Sequence, residues 1–134
     1  MTTAYLELDN VTLVRRGYEA FAAGDVAALT ELFHADAAWY GVQTGVLRGT
    51  YRGREAIVGF FGQLQRETAG SFRHKPVAMA SDGNRVFVQT ESSARRHGQL
   101  LRTSDIAVFT LERGQVTEVR LYSGDYPAAA AFWR

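Results

Sequence analysis

The sequence predicts an α+β layer fold, with three helices packed on one side of a curved antiparallel sheet. Two observations carry that prediction. Apolar residues recur at the helical period through the first half of the chain and switch to strict alternation from Ser71 onward. The joints of the second half are short and built from turn residues: Ser81-Asp82-Gly83-Asn84, His97-Gly98 and Arg113-Gly114. Short joints favour antiparallel neighbours. A strongly twisted sheet wrapped around three helices leaves a cone with one open end and an internal pocket.

Each element follows from local pattern. Asp9 or Asn10 caps a first helix, in which Val11, Val14, Tyr18, Phe21 and Ala22 form one apolar stripe over Val11–Ala23. Gly24 suits the residue just past its end, and Asp25 caps a second helix, Val26–Phe33, with Val26, Leu29, Leu32 and Phe33 inward. Trp39 and Tyr40 argue for a strand over Asp36–Val42. Gln43 to Gly53 holds three glycines and reads as a loop or irregular extension. Arg54–Glu67 is the clearest helix, with Ile57, Phe60, Phe61 and Leu64 at helical spacing. Strands fit Phe72–Ala80, Arg85–Arg95, Leu100–Leu111 and Gln115–Ser123. Asp125 and Pro127 start a short last helix over Ala128–Trp133.

The totals narrow the function classes. A chain of 134 residues fits one domain, residues 1–134. Its net charge of +1 gives no footprint for nucleic acid or an anionic membrane. Arg15-Arg16 and Arg95-Arg96 are read as solvated surface. The absence of cysteine removes disulfides, thiolate catalysis and thiolate metal sites, and it suits a reducing cytoplasm. No apolar run approaches the ~18 residues of a membrane span. The segment Met1–Glu7 has neither the basic start nor the apolar core of a signal peptide. The three histidines stand far apart, no metal spacing occurs, and Gly49 and Gly53 mark turns rather than a phosphate loop, so no metal or cofactor is expected.

Four stretches then point to a family. Tyr18-Glu-Ala-Phe-Ala-Ala-Gly-Asp25, Leu32-Phe33-His34-Ala-Asp36-Ala, Tyr51-Arg-Gly-Arg-Glu-Ala-Ile57 followed by Phe60-Phe61, and Gly114-Gln-Val-Thr-Glu-Val-Arg-Leu-Tyr122 resemble the SnoaL-like group of the nuclear-transport-factor-2-like superfamily. That superfamily includes polyketide cyclases, ketosteroid isomerases, limonene epoxide hydrolases, scytalone dehydratases and non-enzymatic binding modules. The resemblance spans Val11 to Asp125 and implies the cone fold, a pocket for a small hydrophobic molecule, and a homodimer. It does not carry over the isomerase machinery. The family's oxyanion tyrosine would fall at Gly17, its base at Gly41 and its protonated acid at Ala107, so a steroid isomerase is not expected.

Candidate site residues come from strand parity. Leu101, Thr103, Asp105, Ala107 and Phe109 share one face, which the resemblance makes the concave one. Asp105 is the most informative, because Asp is depleted in strand interiors and seldom buried without a partner. It reads either as a proton-transfer carboxylate or as a structural acid in an ion pair or cap with Arg102 or another basic residue. His74 shares the inward face with Phe72 and reads as its pocket partner and proton carrier, or as a hydrogen-bonded half-buried histidine. Thr103 and Phe109 on the face of Asp105, with Tyr18, Phe21 and Trp39, are candidate substrate contacts, the last three being equally core residues. His34 is read as a contact at a helix C-terminus and His97 as exposed. Tyr40 and Tyr122 are read as facing outward, and Val116, Glu118, Arg120 and Tyr122 as one mixed face.

The sequence therefore predicts a cofactor-independent enzyme working by general acid–base chemistry on a hydrophobic, oxygen-bearing metabolite. The reaction classes are isomerisation, cyclisation, dehydration and epoxide hydrolysis. Alternatives are a non-catalytic ligand-binding protein and an interaction module using the outer face of the sheet.

Overall fold

The computed structural model describes residues 9–41 and 45–134. The readings made on Met1–Glu7, on the strand end at Val42 and on loop residues 43–44 lie outside that range. The elements are α1 (Asn10–Ala23), α2 (Val26–Leu32), β1 (Phe33–Tyr40), β2 (Thr50–Arg52), α3 (Arg54–Glu67), β3 (Arg73–Asp82), β4 (Arg85–Arg96), β5 (Gln99–Glu112), β6 (Gln115–Tyr122) and α4 (Tyr126–Phe132). A 3₁₀ turn at Gly45–Leu47 precedes β2.

Local chemistry sets the helix ends. The Asp9 carboxylate accepts from the Thr12 amide at 2.7 Å, Asp25 from Ala28 at 3.1 Å and Asp125 from Ala128 at 3.1 Å. Each cap satisfies an amide that has no partner within the helix and contributes about 1 kcal/mol. Between α1 and α2 the chain turns at Gly24 with φ of 69°, where a side chain would be strained. The Asp25 amide there bonds back to the Ala20 carbonyl at 2.9 Å, closing the helix end. Two expectations change in these helices. Val26 is 58% exposed rather than inward, and Ala22 is also exposed. Helix α2 stops at Leu32, so Phe33 opens β1, where it pairs with Val116 and is fully buried.

The six strands run in the order β2-β1-β6-β5-β4-β3. All pairs are antiparallel except β1 and β6. The sheet is therefore mixed, and its parallel pair joins neighbours separated in the chain by α3 and four strands, β2 to β5. The stretch read as a loop contributes β2 and the 3₁₀ turn, and α4 begins at Tyr126, two residues before Ala128.

A bulge resets the alternation of β6. Thr110 pairs with Glu118 but Leu111 pairs with Val116, leaving Thr117 as the extra residue. Val116 and Val119 consequently both point into the core, whereas simple alternation puts Val116 on the outer face. The core lies between the concave face of the sheet and α1 to α3. Its centre is aromatic: Phe33, Trp39, Phe60 and Phe61 pack with ring centroids 5.1 to 6.2 Å apart. Burying each such ring contributes about 1.5–3 kcal/mol, with edge-to-face contacts adding to it.

Arg96 departs furthest from its expected place. It is only 8% exposed. Its Nη1 donates to the Phe132 carbonyl at 2.9 Å and the Arg134 carbonyl at 3.0 Å, and its Nε bonds Glu67 at 3.2 Å. One guanidinium thus ties the C-terminal end of α4 to the end of α3. Arg95, its neighbour, is exposed as expected.

Candidate functional site

A cavity of about 220 Å³ opens inside the cone. Its walls are mostly apolar and aromatic, including Phe60, Phe61, Leu64 and Phe72; α4 adds Tyr126 and Ala129, and Trp133 joins them from just past its end. Polar side chains enter from three strands: His74 from β3, Thr90 and Ser92 from β4, and Thr103 and Asp105 from β5. Register explains the arrangement. His74 stands opposite Ser92, Ser92 opposite Thr103, and Thr90 opposite Asp105, so two polar rows cross the floor of the cavity.

Asp105 is held on both oxygens. Thr103 Oγ1 donates to Oδ2 at 2.9 Å, and the Gly124 amide donates to Oδ1 at 3.0 Å. The expected partner Arg102 is on the opposite face of β5 and exposed. Gly124 lies in the short link between β6 and α4, and a Cβ there would collide with the Ser104 carbonyl. The carboxylate therefore fixes the segment that leads into α4 while still facing the cavity.

His74 has the opposite character. Its ring sits in an aromatic nest, with centroids 4.7 Å from Phe21, 4.9 Å from Tyr18 and 5.3 Å from Phe72. Its Nε2 is buried and has no hydrogen-bond partner. Burial pushes the imidazole down to about 4, so at neutral pH the ring is uncharged. This corrects the reading of His74 as a proton carrier titrating near neutrality. From strand spacing and rise, His74 and Asp105 lie on the order of 12 Å apart, so they face a common space without touching. The same burial raises the Tyr18 phenol above its ordinary range, which keeps it protonated.

The remaining candidates separate. Tyr18, Phe21, Trp39 and Thr103 line the cavity with Asp105 and His74. Phe109 does not: it packs edge-on behind Tyr18, at 5.9 Å between centroids, and belongs to the core. His34 lies exposed in β1, and its Nδ1 accepts from the Asp36 amide at 3.0 Å rather than meeting a helix end. His97 is exposed in its turn and Tyr122 is exposed at the cavity rim. Tyr40 is half-buried under the Arg120 guanidinium, 4.1 Å from its ring centroid.

Sequence reasoning missed Thr90, Ser92 and the α4 residues. Thr90 and Ser92 were accessible from parity alone, since they continue the inward series of Val86 and Val88. It also missed the indole of Trp39, whose Nε1 is buried without a partner. Among the described residues no three His, Asp or Glu side chains cluster as a metal site requires. Among the described residues no helix is long and apolar enough to cross a membrane.

Comparison with known proteins agrees with this architecture. Residues 14–119 match the SnoaL-like domain, and the chain belongs to that family. The structure of Bal32a, from a soil-derived mobile gene cassette, superposes with a TM-score of 0.89 at 37% identity, covering 93% of this chain and 96% of that one. A putative SnoaL-like polyketide cyclase from Jannaschia sp. CCS1 shares the fold, with a TM-score of 0.76 at 20% identity over 92% and 90% of the two chains. The uncharacterized protein Rv0034 of Mycobacterium tuberculosis is 29% identical over 126 residues, 92% of this chain and 95% of that protein. The three positions that the resemblance assigns to isomerase chemistry are filled by packing. Gly17 lies where an added Cβ would strike Leu32, Gly41 lies against the Trp39 indole, and Ala107 is buried.

Proposed function

We propose that this protein is a small-molecule enzyme using general acid–base catalysis in its apolar cavity, on a hydrophobic metabolite that carries oxygen. One observation supports the reading above others: among the described residues, an apolar cavity has one carboxylate, Asp105, and one uncharged imidazole, His74, in its wall. Isomerisation, cyclisation, dehydration and epoxide opening each need a group that moves a proton and a group that holds oxygen as charge develops. Asp105 takes the first role. A neutral His74 takes the second, as a hydrogen-bonding partner rather than a cation. Tyr18, Phe21, Trp39 and Thr103 shape the surroundings and exclude water.

The test is turnover of a panel of cyclic ketones and epoxides by the wild type and by Asp105→Asn, with folding checked by thermal melting. Loss of about a hundred- to ten-thousand-fold is expected on removing the base. Near-native turnover by the folded variant would remove Asp105 from the chemistry.

A second reading, a non-catalytic ligand-binding protein, has its own observation. Both Asp105 oxygens already accept hydrogen bonds, one of them from the backbone that leads into α4. Saturable binding by the wild type without turnover of any panel member would favour it. In either reading we propose a homodimer through the outer sheet face, where Phe87 and Ile106 are 39% and 40% exposed on adjacent strands. Sedimentation at micromolar concentration should give a dimer of the 14.8 kDa chain, and a monomer alone would refute it.

A further inference from the structure

We infer that the cavity is built for an uncharged ligand of one or two rings whose oxygen accepts a hydrogen bond from the Trp39 indole. This rests on the reading that the cavity holds a small molecule, and it goes further by fixing that molecule's size, charge and polar contact.

Size follows from volume. An engineered apolar cavity of about 150 Å³ holds benzene, or about 25 Å³ per non-hydrogen atom. At that density a cavity of about 220 Å³ takes about nine such atoms. Modest side-chain adjustment extends this to a second ring. A four-ring skeleton of about twenty atoms would need roughly twice the space.

Charge follows from the lining. Among the described residues no lysine or arginine lines the cavity wall, and Asp105 contributes a carboxylate. A carboxylate or phosphate ligand would meet no counter-charge and one like charge. Burial keeps His74 uncharged at neutral pH, so it supplies no cation either. An ammonium ligand would have Asp105 as its counter-charge, each oxygen of which already accepts one hydrogen bond, but the mostly apolar and aromatic wall would leave much of its hydration unreplaced.

The polar contact follows from orphaned atoms. Two cavity-lining residues, Trp39 and His74, each carry a buried nitrogen with no partner. Buried polar atoms are otherwise nearly always satisfied. The indole N–H is a donor only, so it requires an acceptor. Nε1 lies beside Gly41, itself in the cavity wall, and a Cβ at that position would sit 3.1 Å from Nε1 and leave an incoming oxygen no room. Neutral His74 offers either a donor or an acceptor, so a carbonyl or a hydroxyl oxygen fits the pair.

The experiment uses matched probes and the chain's own fluorescence, since both of its tryptophans, Trp39 and Trp133, line the cavity. Cyclohexanone, methylenecyclohexane, cyclohexanecarboxylate, cyclohexylamine, 2-tetralone and androstenedione are titrated into the full chain at pH 7.5. The two small ketones should bind, cyclohexanone about five- to tenfold tighter than its hydrocarbon isostere, as one buried hydrogen bond allows. The carboxylate and the amine should bind at least tenfold more weakly than the ketone, and the four-ring ketone should not bind. In Trp39→Phe, followed through Trp133, the ketone's advantage over the hydrocarbon should vanish while hydrocarbon affinity stays within about threefold. Equal binding of the carboxylate or amine overturns the charge assignment, and tight binding of androstenedione overturns the size. An unchanged ketone preference in Trp39→Phe overturns the contact. If that variant fails to fold, the wild-type comparison of ketone with isostere decides the polar contact. No binding of any probe by folded wild type overturns the inference as a whole. All of these are binding readouts, so a failure of catalysis appears separately, in the turnover of Asp105→Asn.

Discussion

The two ends of the cavity floor treat a polar side chain in opposite ways. On β5, Asp105 has both oxygens satisfied, one by its neighbour Thr103 and one by the Gly124 amide. On β3, His74 is wrapped by three aromatic rings and its Nε2 has no partner. A satisfied group stabilises the fold as it stands. An orphaned one costs free energy until a ligand meets it, and such costs are commonly placed where a protein binds. The contrast separates a residue that supports the site from a residue that waits for something in it.

The largest effect that tests this contrast is pH dependence. Unfolded, a histidine titrates near 6.5; burial holds His74 at about 4. Between those values the unfolded chain binds more protons than the folded one, so stability rises with pH. The His74 contribution is complete above pH about 6.5 and is lost as pH falls toward 4. Over that interval the loss approaches about 3 kcal/mol. Denaturant unfolding at pH 7.5 and 4.5 should show the wild type losing about 2–3 kcal/mol more than His74→Phe. Equal losses would mean that the imidazole is hydrated in the folded state.

The Asp105 end should break in a different way. Gly124→Ala drives a Cβ into the Ser104 carbonyl and should cost about 1–3 kcal/mol by overpacking. Asp105→Ala removes both hydrogen bonds, an exposed one from the Gly124 amide and a half-buried one from the Thr103 hydroxyl, and should cost about 0.5–1.5 kcal/mol. Asp105→Asn keeps an oxygen for the Gly124 amide and should recover most of that loss. Thermal melting of the three variants checks this. If Asp105→Ala melts with the wild type, the carboxylate does not hold the link to α4.

The smallest effect has the opposite sign. At pH 8, His74→Phe replaces an orphaned nitrogen by carbon in an aromatic nest and should leave stability unchanged or raise it by up to about 1 kcal/mol. Loss of more than about 1 kcal/mol in denaturant unfolding would show that His74 has a partner in the fold, and the contrast would fail.

Much of this was legible in the sequence because it depends on neighbours along the chain. Caps at Asp9, Asp25 and Asp125 act over three residues, and the stripe of Ile57, Phe60, Phe61 and Leu64 is a helical repeat. Parity along β5 likewise put Thr103 and Asp105 on one face toward the interior. Those signals determine which residues form helices and strands and which side of each is buried. What they cannot supply is anything set by partners far apart in sequence. Arg95 and Arg96 look alike in the chain, yet Arg96 is buried because Glu67 and the carbonyls of Phe132 and Arg134 converge on it. Val116 turns inward because a bulge at Thr117 shifts the pairing with Leu111, a matter of register between two strands. Asp105 is fixed by Gly124, nineteen residues on. His74 loses its ordinary titration because Tyr18 and Phe21, from α1, close over it. The sequence by itself determined the periodicities and the candidate polar residues. Only the tertiary structure decided which of them are satisfied, because desolvation and hydrogen bonding depend on what the folded chain brings alongside.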